Sequence, residues 1–219
     1  MSLSNAPQLV KGGLVQLDAG SGQVQRSIAL QYNPDSLQRS YQVQGLGGDG
    51  GAERAQPFRL KGPAIETLRV EAEIDATDAL ADPDGHASAV AHGIAPQIAA
   101  LEGLVNPASQ ALQALGAQLQ SGTLEILPPE APLLLFVWGA SRVVPVRLTE
   151  LSVTEEAFDA ALNPIRARVS LGLRVLSTDD LGFASRGAAM FLNHLRRREA
   201  LAEQAGQASL QTLGLAGLP

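Results

Sequence analysis

Leu162-Asn163-Pro164-Ile165-Arg166-Ala167-Arg168-Val169-Ser170-Leu171-Gly172-Leu173-Arg174-Val175-Leu176 is the stretch that decides how this chain folds. From Ile165 the odd positions read Ile, Ala, Val, Leu, Leu, Val, and the even ones carry Arg166, Arg168, Ser170, Gly172 and Arg174. A period of two sends these sets to opposite faces of an extended strand. Asn163-Pro164 supplies the turn ahead of it, because proline fixes its own φ and pushes the preceding residue out of the helical region. The result is a long strand, aliphatic on one face and arginine-bearing on the other.

The same alternation recurs on both sides of that stretch. Ile65 to Asp75 sets Leu68, Val70, Ala72 and Ile74 against Arg69, Glu71, Glu73 and Asp75. Val10 to Asp18 and Val24 to Tyr32 flank the turn Ala19-Gly20-Ser21-Gly22, which reads as a hairpin, and a further strand runs from Leu37 to Val43. Leu133 to Trp138, between Pro132 and Gly139, is an unbroken apolar run of the kind buried on both faces. Val143 to Thr154 changes register near Glu150, which predicts a β-bulge, while Pro145 predicts an edge position or an irregularity. Glu155 to Leu162 reads as a connection, with Phe158 turned back into the core.

Between the strands lies helical sequence, from about residue 78 to 121. Ile94, Ile98 and Leu101 recur at helical spacing, with Val105 beyond and Pro96 in a first-turn position. Leu112, Leu115 and Leu119 mark a second helix over Pro107 to Gln120, with Asn106 placed as its N-cap. After Asp180 the pattern is helical again, with Met190, Phe191, Leu195 and Leu201 on one side of Arg196-Arg197-Arg198. The expected organisation is an α+β, mainly antiparallel domain over 1–180 and a C-terminal helical tail over 181–219.

Composition limits the function. With 22 acidic and 16 basic residues the formal charge is -6, which argues against binding nucleic acid by general electrostatics. There is no cysteine, so disulfides and thiolate metal sites are excluded. No signal peptide is visible, and Leu133 to Trp138 falls far short of the ~20 residues needed to span a bilayer. The chain reads as soluble, made in the cytoplasm and not inserted in a membrane. The glycine-rich stretch Gly45 to Gln56 reads as a flexible loop, since an extended segment rather than a helix follows it, as a phosphate loop would require. His86 and His92 are six apart and do not share a helix face as metal ligands four apart would, and His194 offers no obvious third ligand. Glu71, Glu73 and Asp75 could serve a cell-wall hydrolase, but they form one row where acid/base chemistry needs paired carboxylates in a cleft. The expectation is a protein that is not an enzyme and holds no cofactor.

Several stretches together resemble a known family: Leu30-Gln31-Tyr32-Asn33-Pro34; Glu73-Ile74-Asp75-Ala76-Thr77-Asp78; the Pro-Pro block leading to Leu-Leu-Phe-Val-Trp-Gly; and Phe158-Asp159 followed by Leu162-Asn163-Pro164-Ile165-Arg166-Ala167. In this order they resemble the tube-type domain of contractile injection systems, found at the front of LysM-containing baseplate proteins of phage-tail-like particles. The resemblance runs from about Val10 to Leu176; a helical tail stands where a LysM-like module follows in many members. It implies a β-sandwich or partly closed barrel with a helix packed outside. It also implies a structural, six-fold baseplate ring that joins the central hub and spike to the inner tube and starts tube polymerisation. The repeating tube subunit is the runner-up. Hub or spike, inner tube protein and other baseplate components are the implied partners, and in such a ring neighbouring sheets build a continuous β-barrel. On that reading Arg166, Arg168, Arg174, Arg69, Glu71 and Glu73 are candidates for a lumen or ring-to-ring surface.

Overall fold

The computed structural model describes residues 9–18, 20–45, 60–120, 131–206 and 209–216. Seven strands make one antiparallel sheet: β1 (Gly13–Leu17), β2 (Val24–Ala29), β3 (Leu37–Gln42), β4 (Ile65–Asp75), β5 (Leu133–Val137), β6 (Val143–Phe158) and β7 (Pro164–Val175). Their order across the sheet is β2-β1-β5-β6-β7-β4-β3. The stretch that opened the sequence reading is β7, held between β6 and β4 along nearly its whole length. Helices α1 (Thr77–Leu80), α2 (Ala87–His92), α3 (Ala95–Glu102) and α4 (Ser109–Gln120) lie between β4 and β5, and α5 (Arg186–Gln204) follows β7.

The expected barrel is open within one subunit, because edge strands β2 and β3 do not pair with each other. Yet only residues 30–36 separate these two edges in sequence. Six inter-strand gaps of ~4.8 Å would set the edges of a flat sheet about 29 Å apart. Eight Cα steps of ~3.4 Å reach only about 27 Å when fully extended, so the sheet must curl. Side-chain amides hold the seam where an eighth strand would otherwise lie. Gln31 accepts from the Asp75 amide at 2.9 Å and donates to the Asp75 carbonyl at 2.7 Å. Asn33 does the same on the other side, accepting from the Gly12 amide at 2.9 Å and donating to the Val10 carbonyl at 2.8 Å. Leu30 between them is buried.

The inner face of the curl is the core. Leu68, Val70, Ala72 and Ile74 of β4 meet Val169, Leu171, Leu173 and Val175 of β7, with Phe136, Val144 and Val146 alongside. Ile94, Ile98 and Leu101 come from the α3 region, and Phe191 from α5 closes the same cluster. Gly93 permits the approach of α3: its φ is +57°, and a β-carbon there would collide with the Pro164 carbonyl. Trp138 stacks on Phe136 with ring centroids 5.7 Å apart.

Several details depart from the sequence reading. Pro145 sits in a central strand, between Leu135 of β5 and the end of β7. Its carbonyl accepts from Leu176, so the bond its ring nitrogen forgoes falls just past the last residue of β7. Phe158 ends β6 instead of lying in a connection, and it is 48% exposed. Asn106 does not cap α4, which starts at Ser109; its side-chain amide donates back to the Glu102 carbonyl. Val105 is exposed, and Leu112 and Leu119 stand 52% and 62% exposed on a helix that buries no residue. The bulge near Glu150 is present, with the register shifting between Leu148 and Glu150. Most of the glycine-rich stretch, Leu46 to Gln56, lies outside the described residues, as do Met1 to Gln8.

Candidate functional site: a polar sheet face

The outer face of the curl is built from the residues that alternate with the core. Arg166, Arg168, Ser170, Gly172 and Arg174 of β7 lie opposite Asp75, Glu73, Glu71, Arg69 and Thr67 of β4. On the other side, Arg174, Gly172, Ser170 and Arg168 face Arg147, Glu150, Ser152 and Thr154 of β6. Gln38 and Ser40 of β3 continue the surface beyond Arg69 and Thr67. Four neighbouring strands thus present polar side chains alone over this stretch. All six residues singled out from the sequence, Arg166, Arg168, Arg174, Arg69, Glu71 and Glu73, share this one face.

Charge on the face is cross-linked between strands. Arg166 Nε donates to Asp75 at 2.7 Å and lies 3.6 Å from Glu73. Hydrogen bonds from the Thr77 side chain and amide, and then the Arg166 guanidinium, hold the Asp75 carboxyl below its ordinary range. Asp75 in turn raises Arg166. Arg168 pairs with Glu156 at 3.1 Å, and Arg174 with Asp180 at 2.6 Å. Solvent screens such exposed pairs, so they organise the face more than they hold the fold. Gly172 opposes the β6 bulge, where a β-carbon would press on Glu150 and Thr149.

The turn that aims β7 is organised by one carboxylate. Asp159 accepts from the amides of Ala161 and Asn163 at 2.8 Å each and from the Asn163 side chain at 2.8 Å. The Asn163 side chain and amide lead in pulling the Asp159 carboxyl below its ordinary range. The turn ends with Leu162 in the left-handed region at φ 64°.

Sequence reasoning passed over a second polar group, on the inner face. Glu66 is buried; it accepts from the Tyr41 hydroxyl at 2.7 Å and from Arg198 of α5 at 3.2 Å. The Arg198 guanidinium also lies 5.1 Å from the Tyr41 ring centroid. Burial and then the Glu66 hydrogen bond raise the Tyr41 hydroxyl above its ordinary value. His194 is buried beside this group with Nδ1 unpaired, and burial lowers its pKa. A signal was present: Glu66 stands in the apolar register of β4, the only charge among positions 66, 68, 70, 72 and 74. The cluster pins α5 across the end of the sheet where β4 begins.

An apolar cavity of about 500 Å³ remains at the open seam, lined by Ile28, Leu30, Ala72, Ile74 and Leu101, with Arg26 and Glu73 among its few charged groups. Among the described residues, no set of three or more histidine, aspartate or glutamate side chains could hold a metal ion. No helix among them is long and apolar enough to cross a membrane.

No curated protein matches the chain. Residues 14–183 match the family described as contractile injection system tube protein, a span from the start of β1 to just before α5 that takes in the whole curled sheet. With that match over most of its length, the chain belongs to the tube proteins of contractile injection systems.

Proposed function

We propose that copies of this chain form a six-fold ring at the baseplate end of the inner tube, joining hub and spike to the tube and starting tube polymerisation. The observation that carries this reading is the polar outer face shared by β3, β4, β7 and β6. A strand set that closes its own core with one face and carries a run of polar groups along the other suits the wall of a water-filled channel. Arg166, Arg168, Arg174, Arg69, Glu71 and Glu73 would then line the lumen or meet the next layer. Among the described residues, β6 beyond Val146 pairs only with β7, which leaves a long edge for a neighbouring subunit to cover. The helices added outside the sheet suit a specialised layer. The role is structural: Asp75 and Glu73 are engaged by Arg166, and Glu71 stands on an open face.

A second reading is the repeating subunit of the tube itself, with which the family match agrees equally. Negative-stain microscopy of the purified protein, alone and mixed with the hub and tube proteins of its particle, tests the ring; a protein monomeric in every mixture would sink it. Copy number per particle separates the readings: one ring for an initiator, many for a repeating subunit.

A further inference from the structure

β3 pairs with β4 only from Ile65 to Val70, so beyond that point no described strand covers β4 on the side away from β7. At the far edge of the sheet, β2 pairs only with β1. The curl brings these two bare edges toward each other across the short link 30–36, and the Gln31 side chain meets β4 at Asp75. What remains is a window in the wall of the curled sheet. The cavity of about 500 Å³ lies behind it, lined from one edge by Ile28 and from the other by Ala72.

The floor of this space is core. Ile74, Leu101, Val169 and Leu171 line it and are all buried. Protein interiors pack about as densely as organic crystals and leave few voids larger than a water molecule. A space of this size falls instead within the range of about 300–1,000 Å³ typical of small-molecule sites, which occur in the mouths of β-barrels among other places.

One charge faces the space without a counter-charge. Arg26 occupies the core-facing register of β2: Arg26 and Ile28 lie opposite Gln16 and Leu14, and Leu14 belongs to the core. Arg26 is exposed at the rim, where its guanidinium donates to the Ala100 carbonyl at 3.3 Å. Among the described residues it has no carboxylate within ion-pair distance. Glu73, the acidic group of the lining, lies 3.6 Å from Arg166 on the outer face. A guanidinium with donors to spare at the mouth of an aliphatic pocket matches a carboxylate, which it can hold through two parallel hydrogen bonds.

We propose that this cavity binds a single-chain aliphatic carboxylate, a fatty acid, with its tail against Ile28, Ile74, Leu101 and Leu171 and its carboxylate on Arg26. The bound tail completes the core where the sheet leaves its window open. The site belongs to one subunit, so it stands or falls separately from the ring reading.

Isothermal titration calorimetry of the full chain with dodecanoate, below its micelle-forming concentration, provides the test. Saturable binding of one dodecanoate per chain is expected. Decanoate should bind about tenfold more weakly, because each methylene taken from water strengthens binding roughly fourfold. Dodecanol, with the same tail and no charge, should also bind about tenfold more weakly, and Arg26→Gln should erase the difference between acid and alcohol. Ala100→Trp, at a half-buried position of the wall, should abolish binding, with circular dichroism reporting that the fold is kept. The ligand series on the unaltered protein does not depend on either variant folding. No binding of dodecanoate at about 1 mM would overturn the site. Equal affinity for acid and alcohol would overturn the carboxylate as its ligand. Uptake of several molecules per chain without saturation would mean adsorption to exposed leucines and overturn the proposal as well. Each of these failures leaves the ring and its microscopy untouched.

Discussion

β4 and β7 supply both faces of the sheet from alternating residues of the same strands, and the two faces obey different rules. Inward, Val70, Val169 and Leu173 have no measurable exposure, and one buried carboxylate, Glu66, needs a tyrosine and an arginine to satisfy it. Outward, arginines and carboxylates pair across strands at partly exposed sites, where each pair contributes little. A strand built this way divides its work residue by residue. The even positions of β4 from Leu68 and the odd positions of β7 hold the subunit together, and their neighbours are free to meet whatever lies outside. Stability and assembly should therefore respond to different substitutions only one position apart.

The strongest way to test this division is Leu171→Ala, which opens a cavity in the centre of the core. It should cost about 2–5 kcal/mol, read as a fall in the urea midpoint with the slope unchanged. A cost below about 1 kcal/mol would mean that the inner face is not packed as described. Glu66→Gln comes next, leaving Arg198 without its counter-charge beneath α5; a loss of about 1–3 kcal/mol is expected, discounted because Arg198 is partly exposed. Unaltered stability would detach α5 from that cluster.

Acid separates the faces in a third way. Burial holds His194 below its ordinary 6.5, so below that pH the unfolded chain takes up a proton that the folded chain refuses. Stability should fall with decreasing pH at up to about 1.4 kcal/mol per unit, and His194→Gln should flatten that slope. Asp75, on the outer face, is depressed from 3.8, so its contribution is present above that value and is lost as pH falls through its folded pKa. The inner face should thus yield in mild acid and the outer only in strong acid. If the slope between about pH 6.5 and pH 5 survives His194→Gln, the histidine is not its source.

The smallest effects on folding belong outside. Arg166→Glu with Arg168→Glu should leave the urea midpoint nearly unchanged while altering ring formation or passage through the ring. Unfolding of the isolated subunit would assign that face to the core after all. Leu119→Ser on α4 should move stability by no more than about 0.5 kcal/mol, because the leucine is 62% exposed on a helix that buries no residue.

The strands were legible because strict alternation carries one message over many residues. Ile65 to Asp75 coincides with β4 at both ends, and the bulge near Glu150 was visible as a break in parity. α1 and α2 were not legible: at four and six residues, neither completes enough turns to display a period. α4 shows the converse, since its leucine spacing describes a face but cannot say whether anything in the same chain covers it. Pro145 and Phe158 were misjudged because their positions depend on where β7 and β5 end, a tertiary fact. The six residues named for the outer face could be assigned to one side of a sheet from parity alone. Glu66 and Arg198 alone lie 132 positions apart along the chain, and Tyr41 is farther still from Arg198, so nothing local could join them.

The amides at the seam carry one more consequence, in chemical durability. A side-chain amide that pairs through both its oxygen and its nitrogen fails when it hydrolyses to a carboxylate, because the donor becomes a second acceptor. The usual route to that damage at asparagine begins with attack by the nitrogen of the following residue, which must shed its hydrogen to close a ring. Asn33 is followed by Pro34, whose nitrogen has no hydrogen to lose. The proline that follows the seam's asparagine therefore also closes that route to damage at Asn33.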